Sequence, residues 1–502
     1  MNTISKKALI IGAGVGGIAT AVSLAQKGFE VEVYEKNATP GGRCGQMTQE
    51  GHRFDLGATI LLMPSIYRKV FTSLGMDMDK ELETTSLEPV YKLFFGDDTD
   101  FAFTRDINKM KLQLEAIEPG SFAHYERYVK EGYAFFNLSI DGLLGRNFYR
   151  LFQFINFKSI RLLIRLKTWI RHTDYIKRFF TDIRLQMAFT FQNIYVGQNP
   201  YKQPAFFSML PGAEIAEGAL FPKGGMHSVV EKLLATAVDL GVEFQYKKTV
   251  SNIIVNGDKI QGIQLEDGAI INADVVIANA DLPYVYSKLL PESRLSRSLK
   301  KKEYSCSAIV FHWGIDKVYP QLAHHSVFLN DPYKQGMDQI FNEKSVSVNP
   351  SFYIHAPVRT DKSAAPDNQD TLSVIVPVGH MDEKHEQDWQ VLKQTARDGV
   401  IRRLKEAGMT DIEDHIKFET SYLPKTWESY CNVTNGSVFG SLSHTIFQMG
   451  YFRPHNRHDK YKNLYFVGGS THPGNGIPLV LMSAKLTSER ILKENPQPLK
   501  GS

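Results

Sequence analysis

Residues 8–25, ALIIGAGVGGIATAVSLA, restrict the possible folds of this chain most strongly, because they include no charged side chain. A membrane span, a signal peptide and a phosphate-binding turn can all produce such a run. The stretch barely reaches the roughly 18 to 20 residues of a membrane span, although Lys6 and Lys7 supply the basic start of a signal peptide. The glycines favour the third interpretation, since Gly12, Gly14 and Gly17 stand in the order GxGxxG.

Each glycine of this turn has its own physical task. Residues 8–11 are typical of a buried strand, and residues 18–27 are typical of a helix. Gly12 permits the turn between them, Gly14 lets the backbone approach a pyrophosphate, and Gly17 lets the helix pack closely on the strand. The helix would direct its free N–H groups at the anion. The stretch therefore predicts a dinucleotide-binding strand, turn and helix.

An acidic residue follows at the distance that such a site requires. After Gly28 the segment FEVEVYEKN predicts a second strand that ends at Glu35, eighteen residues beyond Gly17. A carboxylate there can accept hydrogen bonds from both hydroxyls of an adenosine ribose. It would also repel a 2′-phosphate, so a cofactor with a free ribose fits better than NADP. The alternative is an acidic residue at the surface end of a strand.

A second glycine-rich segment favours FAD over NAD. In NATPGGRCGQ, the pair Gly41 and Gly42 allows the chain to turn over an extended dinucleotide, and Arg43 supplies charge to its diphosphate or flavin end. The later segment FDLGAT can place small residues beside a flat ring. The residues concerned are Gly57, Ala58 and Thr59. A plain hairpin and turn is the alternative for this second segment.

The carboxy-terminal stretch NLYFVGGSTHPGNGIPLVLMSAK, residues 463–485, repeats the pattern of strand, glycine-rich turn and helix. HPGNGIP, which includes Gly476 and Ile477, is a turn, and LVLMSAKLTSERILKE then continues as a helix. The start of that helix would place its partial positive charge at the pyrimidine edge of a flavin, where negative charge develops on reduction. Gly468 and Gly469 would bring the backbone close to the ring. His472 in this turn is a candidate proton acceptor, and a histidine that only holds the loop is an equal alternative.

A family resemblance is carried by both ends of the chain, which read IIGAGVGGIATAVSLAQKGFEVEVYEKNATPGGRCGQ with FDLGATILLMP, and NLYFVGGSTHPGNGIPLVLMSAK. They resemble the bacterial-type phytoene desaturases, including the C30 diapophytoene desaturases, within the amine-oxidase and carotenoid-desaturase flavoproteins. LEPVYKLFF, FPKGGMHSVVEKL and ADVVIANADLP have counterparts there in the same order. One departure is Gly469, where amine oxidases usually carry glutamate. The departure favours a carotenoid over an amine substrate.

The resemblance implies an α/β fold with a Rossmann-like FAD-binding domain, an inserted mixed α+β substrate domain and a helical membrane-associating region. We expect a discontinuous FAD-binding domain made of residues 1–90, 221–300 and 421–502. Residues 91–220 would form the helical substrate and membrane-associating region, and residues 301–420 a substrate-domain sheet that includes SAIVFHWGI and TLSVIVPVG. By the same resemblance, Val250 would contact the adenine with its backbone.

Residues 146–184 hold ten Lys or Arg against two Asp, interleaved with aromatic and aliphatic side chains. The spacing predicts amphipathic helices with basic flanks. A peripheral membrane surface is the favoured interpretation, and ordinary helices with a solvated cationic face are the alternative. Nucleic-acid binding is disfavoured, since the whole chain carries a net charge of only +4. We expect a cytoplasmic protein that lies on the inner face of the cell membrane.

These features predict an FAD-dependent desaturase that introduces double bonds into phytoene or a related C30 or C40 polyene. Flavin-dependent isomerisation or saturation of a carotenoid, a non-catalytic lipid carrier and, more weakly, an amine oxidase remain alternatives. The three cysteines lie far apart, and no zinc-type spacing is evident, so we predict no metal site.

Overall fold

The computed structural model describes residues 5–496, so both outer ends of the predicted FAD-binding domain, residues 1–4 and 497–502, lie outside it. A five-stranded parallel sheet is built from all three predicted parts of that domain. Its strands, in spatial order, are Glu243–Gln245, Glu30–Tyr34, Lys7–Ile11, Val275–Ala278 and Leu464–Phe466. The central strands are buried along almost their whole length, as a parallel sheet covered on both faces requires.

Helices cover this sheet and place two helix starts at one edge of it. The first helix, Val15–Ala25, begins directly after Gly14, three residues before the predicted start. It packs against Ile477–Glu494, which we call the closing helix, and against Ser228–Asp239. The uncharged opening stretch is therefore a strand, a turn and a helix.

Smaller sheets flank the parallel sheet. Residues 250–272 form an antiparallel meander, with turns at Gly257 and Gly268 in the left-handed backbone region. Its strands are Val250–Asn256, Lys259–Leu265 and Ile270–Asn272. The strands of the two remaining small sheets are Gln46–Gln49 with His52–Asp55, and Leu61–Leu62, Ala219–Pro222 and Thr84–Ser86.

A seven-stranded sheet includes both strands that were predicted for the substrate domain. Its order is Ile416–Tyr422, Ser307–Ile315, Asp370–Val378, Phe352–His355, His325–Phe328, Tyr91–Phe94 and Asp100–Phe103. The last two strands belong to the region that we predicted to be helical. They join the sheet because Tyr91–Phe94 pairs in parallel with His325–Phe328. The sheet therefore begins at residue 91, and helices follow from residue 107.

The helical insert packs around one close crossing. Its helices are Ile107–Ile117, Ser121–Ser139, Leu151–Phe154, Phe157–Arg165, His172–Ile176, Ile183–Ala188 and Met209–Glu217. A Cβ atom added at Gly132 would lie 2.5 Å from the Ser208 carbonyl oxygen, so glycine is needed where the insert's longest helix crosses Met209–Glu217. The other helices are Pro64–Ser73, Met78–Glu81, Leu282–Tyr284, Arg294–Leu299, Tyr333–Phe341, Trp389–Glu406 and Pro424–Cys431.

Segment 146–184 forms short helices, as predicted. Phe157–Arg165 lies at the surface, whereas His172–Ile176 is largely buried. Within residues 5–496, no helix combines the length and the apolar character that crossing a bilayer requires.

Candidate functional site

One cavity of about 480 Å³ is bordered by both large sheets and by the helical insert. Every residue predicted to bind the cofactor lines it, with the exception of Gly17. These residues are Gly12, Gly14, Glu35, Gly42, Arg43, Gly57, Ala58, Thr59, Val250, Gly468, Gly469, Gly476 and Ile477. The fold thus brings three distant parts of the chain to one surface.

The first glycine turn has the geometry that its spacing predicts. Gly12 adopts a left-handed φ of +97°, where a side chain would be strained, and its N–H donates to the Tyr34 carbonyl. Gly17 does not line the cavity. A Cβ at this position would be only 2.3 Å from the Gly12 carbonyl oxygen. Gly17 therefore serves the close packing of the first helix on the turn.

Glu35 is buried at the end of its strand and connects two loops. Its Oε2 accepts from the Ala13 N–H at 2.8 Å, and its Oε1 accepts from the Asn37 N–H at 2.8 Å. A carboxylate offers about four acceptor sites. Each oxygen therefore still has a lone pair for a ligand hydroxyl, in the cavity that Glu35 lines.

The second glycine pair folds against the first turn. The Gly41 N–H donates to the Ala13 carbonyl at 2.8 Å, and Gly41 forms a parallel bridge with Gly14. Arg43 then reaches across the cavity edge. Its Nη1 donates to the Val438 carbonyl at 3.1 Å, and its Nη2 lies 3.1 Å from the position that a Cβ at Gly469 would occupy. One guanidinium therefore lies between the amino-terminal turn, residues 12–17, and the turn of residues 468–476, which we call the closing turn.

Asn279 joins the two turns at their base, and the sequence motifs do not predict this role. Its Nδ2 donates to the Gly12 carbonyl at 3.0 Å, and a Cβ added at Gly16 would lie 2.8 Å from its Oδ1. A Cβ at Gly468 would lie 3.5 Å from the same oxygen. A signal was present in the sequence, since Asn279 directly follows the apolar strand Val275–Ala278.

Arg453 holds the closing turn through hydrogen bonds to its backbone. It is not among the residues that the sequence predicts for the site. Its buried guanidinium donates to the carbonyls of Gly469 at 2.5 Å and Thr471 at 3.0 Å. Burial lowers the pKa of Arg453 to about 9, because the charged form is desolvated there. The side chain thus fixes the path of the turn that leads into the closing helix.

His472 does not line the cavity. Its ring is buried, and its Nε2 lies 3.0 Å from the Arg146 carbonyl oxygen in the helical insert. Burial lowers the pKa of His472 to about 4. The placement favours the loop-holding alternative, and a catalytic role stays a prediction without a geometric contact. The histidine that does line the cavity is His444, whose Nε2 lies 2.6 Å from the Cβ position of Gly474.

The far part of the cavity is apolar. Its walls come from the helical insert and the seven-stranded sheet, and include Phe136, Leu143, Phe191, Phe206, Leu210 and Phe352. Such walls favour a hydrocarbon by desolvation and offer it few hydrogen-bonding groups. The site therefore has a polar, glycine-rich end and an apolar end.

The residues at the polar end fit a flavin nucleotide. Gly14 and Gly42 leave room for the close approach of a diphosphate, and two helices begin at the cavity wall, Val15–Ala25 and Ile477–Glu494. Their N-termini carry partial positive charge. One suits a diphosphate and the other suits negative charge on a reduced flavin ring.

Comparison with known proteins gives the same class. Residues 15–492 match the model of the flavin containing amine oxidoreductases. A zeta-carotene-forming phytoene desaturase of Myxococcus xanthus is 39% identical over 493 residues, covering 98% of this chain and 95% of that protein. A 4,4′-diapophytoene desaturase (4,4′-diaponeurosporene-forming) of Staphylococcus aureus is 33% identical, covering 98% and 99%.

Solved structures share the fold at low identity. An oxidoreductase from Methanosarcina mazei superposes with a TM-score of 0.62 at 17% identity, covering 96% of this chain and 100% of that one. The fold and the site define a flavin-dependent oxidoreductase. The chain belongs to the flavin containing amine oxidoreductase family.

Proposed function

We propose that this protein is an FAD-dependent carotenoid desaturase that acts on phytoene or a related C30 or C40 polyene. The observation that carries the proposal is one cavity in which the turns at Gly12, Gly41 and Gly468, together called the glycine cradle, open onto apolar walls. The similarity to phytoene and diapophytoene desaturases over nearly the whole chain supports the same substrate class. Gly469, in place of a glutamate, fits a substrate without an amine.

FAD is the flavin that suits the chain. Glu35 and the Gly12 turn lie at the end of the cavity where an adenosine and a diphosphate would bind, a part that FMN lacks. Val250 borders the same end. When bound, the flavin would accept a hydride from the polyene.

In this scheme, side chains and backbone of the protein bind the hydrocarbon substrate and orient the flavin. The apolar walls hold a hydrocarbon by burial and exclude water, and the start of the closing helix favours negative charge at the ring edge. Arg453 keeps the closing turn in place through the carbonyls of Gly469 and Thr471. His444 lines the cavity, and burial holds its pKa well below the ordinary value. Burial therefore disfavours the protonated ring, so His444 offers the cavity a polar group but is a weak proton acceptor.

The test is desaturation by the purified, yellow protein in the presence of C30 or C40 precursors presented in vesicles. We expect red-shifted polyene absorbance and products with added double bonds. A shifted isomer without an added double bond would instead favour an isomerase, and a loss of double bonds a saturase. A colourless protein that carries the polyene unchanged would favour a lipid carrier.

A matched pair of variants locates the chemistry. Leu143→Arg puts a charge into the apolar walls, and we expect it to retain FAD and lose desaturation. Leu112→Arg is the control, because Leu112 is 73% exposed on a distant helix of the insert. Equal activity of both variants would contradict a substrate site at the apolar end.

We also propose that the protein lies on the inner face of the cell membrane, in the cytoplasm. The support is a surface of large exposed side chains on the insert, with Phe157 at 80% and Trp169 at 62% exposure. The helix Phe157–Arg165 buries none of its side chains fully, and exposes Ile160 and Ile164 on the same face as Phe157. Apolar patches of this kind mark interaction surfaces.

The exposed helix packs against the segment that lines the apolar end of the cavity. A Cβ at Gly142 would lie 2.5 Å from Leu162 of the exposed helix, and the next residue, Leu143, lines the cavity. A hydrocarbon in a bilayer would thus meet the apolar end of the site first. Membrane contact at this point would let an insoluble substrate enter without crossing water.

Co-sedimentation with phosphatidylglycerol vesicles tests this second proposal. We expect the double variant Phe157→Ser and Ile164→Ser to stay in the supernatant with its flavin content unchanged. The control pair, Ile107→Ser and Leu112→Ser, removes exposed apolar side chains elsewhere and should sediment like the wild type. Sedimentation of both double variants would refute this surface as the membrane contact.

A further inference from the structure

A wall of the cavity is formed by one cross-strand row of the seven-stranded sheet. In this row the facing residues are Val327, Tyr353, Ile375 and Val310. All four line the cavity. Side chains two residues apart on a strand point to the same face. The neighbouring row on that face therefore continues the wall beyond the cavity.

That neighbouring row is polar and buried, which is unusual on an otherwise apolar sheet face. Its facing residues are His325, His355, Ser373 and His312. All four are at most 1% exposed. His324, next to His325 in the chain, turns its ring to the same place, with its centroid 4.5 Å from that of His325 and 5.0 Å from that of His355.

Three of these histidines converge on one point. A ring nitrogen of each of His324, His325 and His355 lies within 4.8 Å of those of the other two. The Nε2 atoms of all three are buried without a hydrogen-bond partner within residues 5–496. Phe221 packs over the group, with its ring 4.4 Å from that of His324. Buried polar atoms without partners are costly, so a shared ligand would stabilise this cluster.

The opposite ring nitrogens of two of these histidines are already held. Nδ1 of His325 lies 2.7 Å from the Tyr353 hydroxyl, which lies 2.8 Å from Oγ1 of Thr59. Nδ1 of His324 lies 2.7 Å from Oγ1 of Thr360. With the proton on Nδ1, each ring donates to a hydroxyl and leaves the lone pair of Nε2 free. Metal-binding histidines are oriented by such hydrogen bonds from the second nitrogen.

We propose that His324, His325 and His355 bind a divalent transition-metal ion of the Zn²⁺ class through their Nε2 atoms. Imidazole nitrogen suits Zn²⁺ and its neighbours, and three protein ligands are a known zinc set. Zn–N distances of about 2.1 Å would need the nitrogens about 3.4 Å apart. Small rotations of the rings would bring them closer.

The ion would fasten the paired ends of the strands Phe352–His355 and His325–Phe328 beside the cofactor cavity. It would hold His325 and, through Tyr353, the hydroxyl of Thr59, which lines the cavity. The metal would keep this wall of the cavity in place. The proposal therefore does not depend on which polyene the site accepts. This site differs from the prediction of no metal, because strand pairing rather than sequence spacing brings His355 opposite His325.

The test uses the full chain without a histidine tag, purified without chelators. Elemental analysis by mass spectrometry should find about one Zn²⁺ per chain, or chelator-treated protein should take up one equivalent when titrated with ZnCl₂. Zn²⁺ should then raise the Tm of the treated protein. A folded, flavin-containing wild type that holds no metal and takes up no Zn²⁺ would overturn the proposal.

Variants identify the ligands. His355→Gln should weaken Zn²⁺ binding at least about tenfold. His312→Gln is the control, since His312 is in the same buried row with an unpartnered Nε2 but outside the group of three. Equal loss in both variants, or in neither, would argue against the site.

A replacement that keeps a ligand covers the case in which His355→Gln fails to fold. His355→Cys should still bind Co²⁺ and should add a thiolate-to-cobalt charge-transfer band that the wild type lacks. Absence of that band in a folded, Co²⁺-titrated variant would remove His355 from the ligand set and overturn the proposal as stated.

Discussion

At the residue scale, Glu35 is the charged side chain that joins the two loops of the glycine cradle. Its oxygens accept from the N–H groups of Ala13 and Asn37, one on each loop. The same carboxylate borders the cavity where an adenosine ribose would lie. It therefore shapes the loops and, in the proposed function, would also accept hydrogen bonds from the cofactor.

Replacing Glu35 with glutamine should weaken FAD binding. Hydrogen bonds to a charged group contribute about 1.5–3 kcal/mol each, so we expect the Kd for FAD to rise about 10- to 100-fold. Fluorescence titration of flavin-depleted protein measures it. Glu30→Gln is the control, because Glu30 is exposed at the start of the same strand. An unchanged Kd for Glu35→Gln would place the adenosine elsewhere.

Gly17 should affect the stability of the folded protein and should not contact the cofactor directly. In Gly17→Ala the added Cβ would meet the backbone oxygen of Gly12 at 2.3 Å, so helix and turn must move apart. Overpacking of this kind costs about 1–3 kcal/mol, which urea unfolding would show as a lower midpoint. Ser23→Ala on the same helix serves as the control. A midpoint as high as that of the control would mean that the turn tolerates the extra atom.

The sequence predicts the roles of residues whose contacts lie within one short segment. It does not predict the roles of residues that contact a distant segment. The GxGxxG spacing and Glu35 indicate their roles because a strand, turn and helix follow one another directly. Asn279 and Arg453 reach the same turns from distant segments, so only the fold shows their contacts. His472 lies in the predicted turn, but its ring faces Arg146 because the turn's geometry decides which side chain faces inward.

At the scale of elements, apolar runs predict most strands, whereas long-range pairing determines their neighbours. Ser307–Ile315 and Asp370–Val378 are buried strands, as their patterns indicate. Tyr91–Phe94 falls in the region predicted to be helical, because its partner, His325–Phe328, lies more than two hundred residues away. The histidine cluster is hidden in the sequence for the same reason.

The exposed helix Phe157–Arg165 carries a second prediction through its basic side chains. Lys158, Arg161 and Arg165 recur at helical spacing and are exposed. Basic residues near an anionic membrane contribute about 1 kcal/mol each. Replacing all three with glutamine should therefore weaken partitioning onto phosphatidylglycerol vesicles by about 100-fold, while partitioning onto neutral vesicles stays unchanged.

The control replaces residues 300–302, three lysines outside the insert, with glutamine. The two triple variants have the same net charge, so they separate the local surface from the charge of the whole protein. Equal weakening by both would show that binding follows overall charge alone. Sedimentation at increasing salt should reduce wild-type binding toward that of the first variant, because salt screens the same attraction.

At the scale of the whole molecule, the flavin site depends on parts of the chain that meet only in the folded state. Gly12, Val250 and Gly468 line one cavity although they lie in three separate segments. The predicted discontinuous domain explains this, since each segment contributes strands to the same parallel sheet. An unfolded chain holds no such cradle, and it should have little affinity for FAD.

FAD should therefore stabilise the entire protein by mass action. A ligand that binds only the folded state at 100 times its Kd adds about 2.7 kcal/mol to the free energy of unfolding. The Tm of flavin-depleted protein should rise steadily with FAD concentration. Riboflavin is the control, because it carries the ring without the diphosphate and adenosine that the Gly12 turn and Glu35 would hold. Equal stabilisation by riboflavin and FAD would mean that the amino-terminal turn contributes nothing to binding, and the cofactor would then have to be held by the closing turn alone.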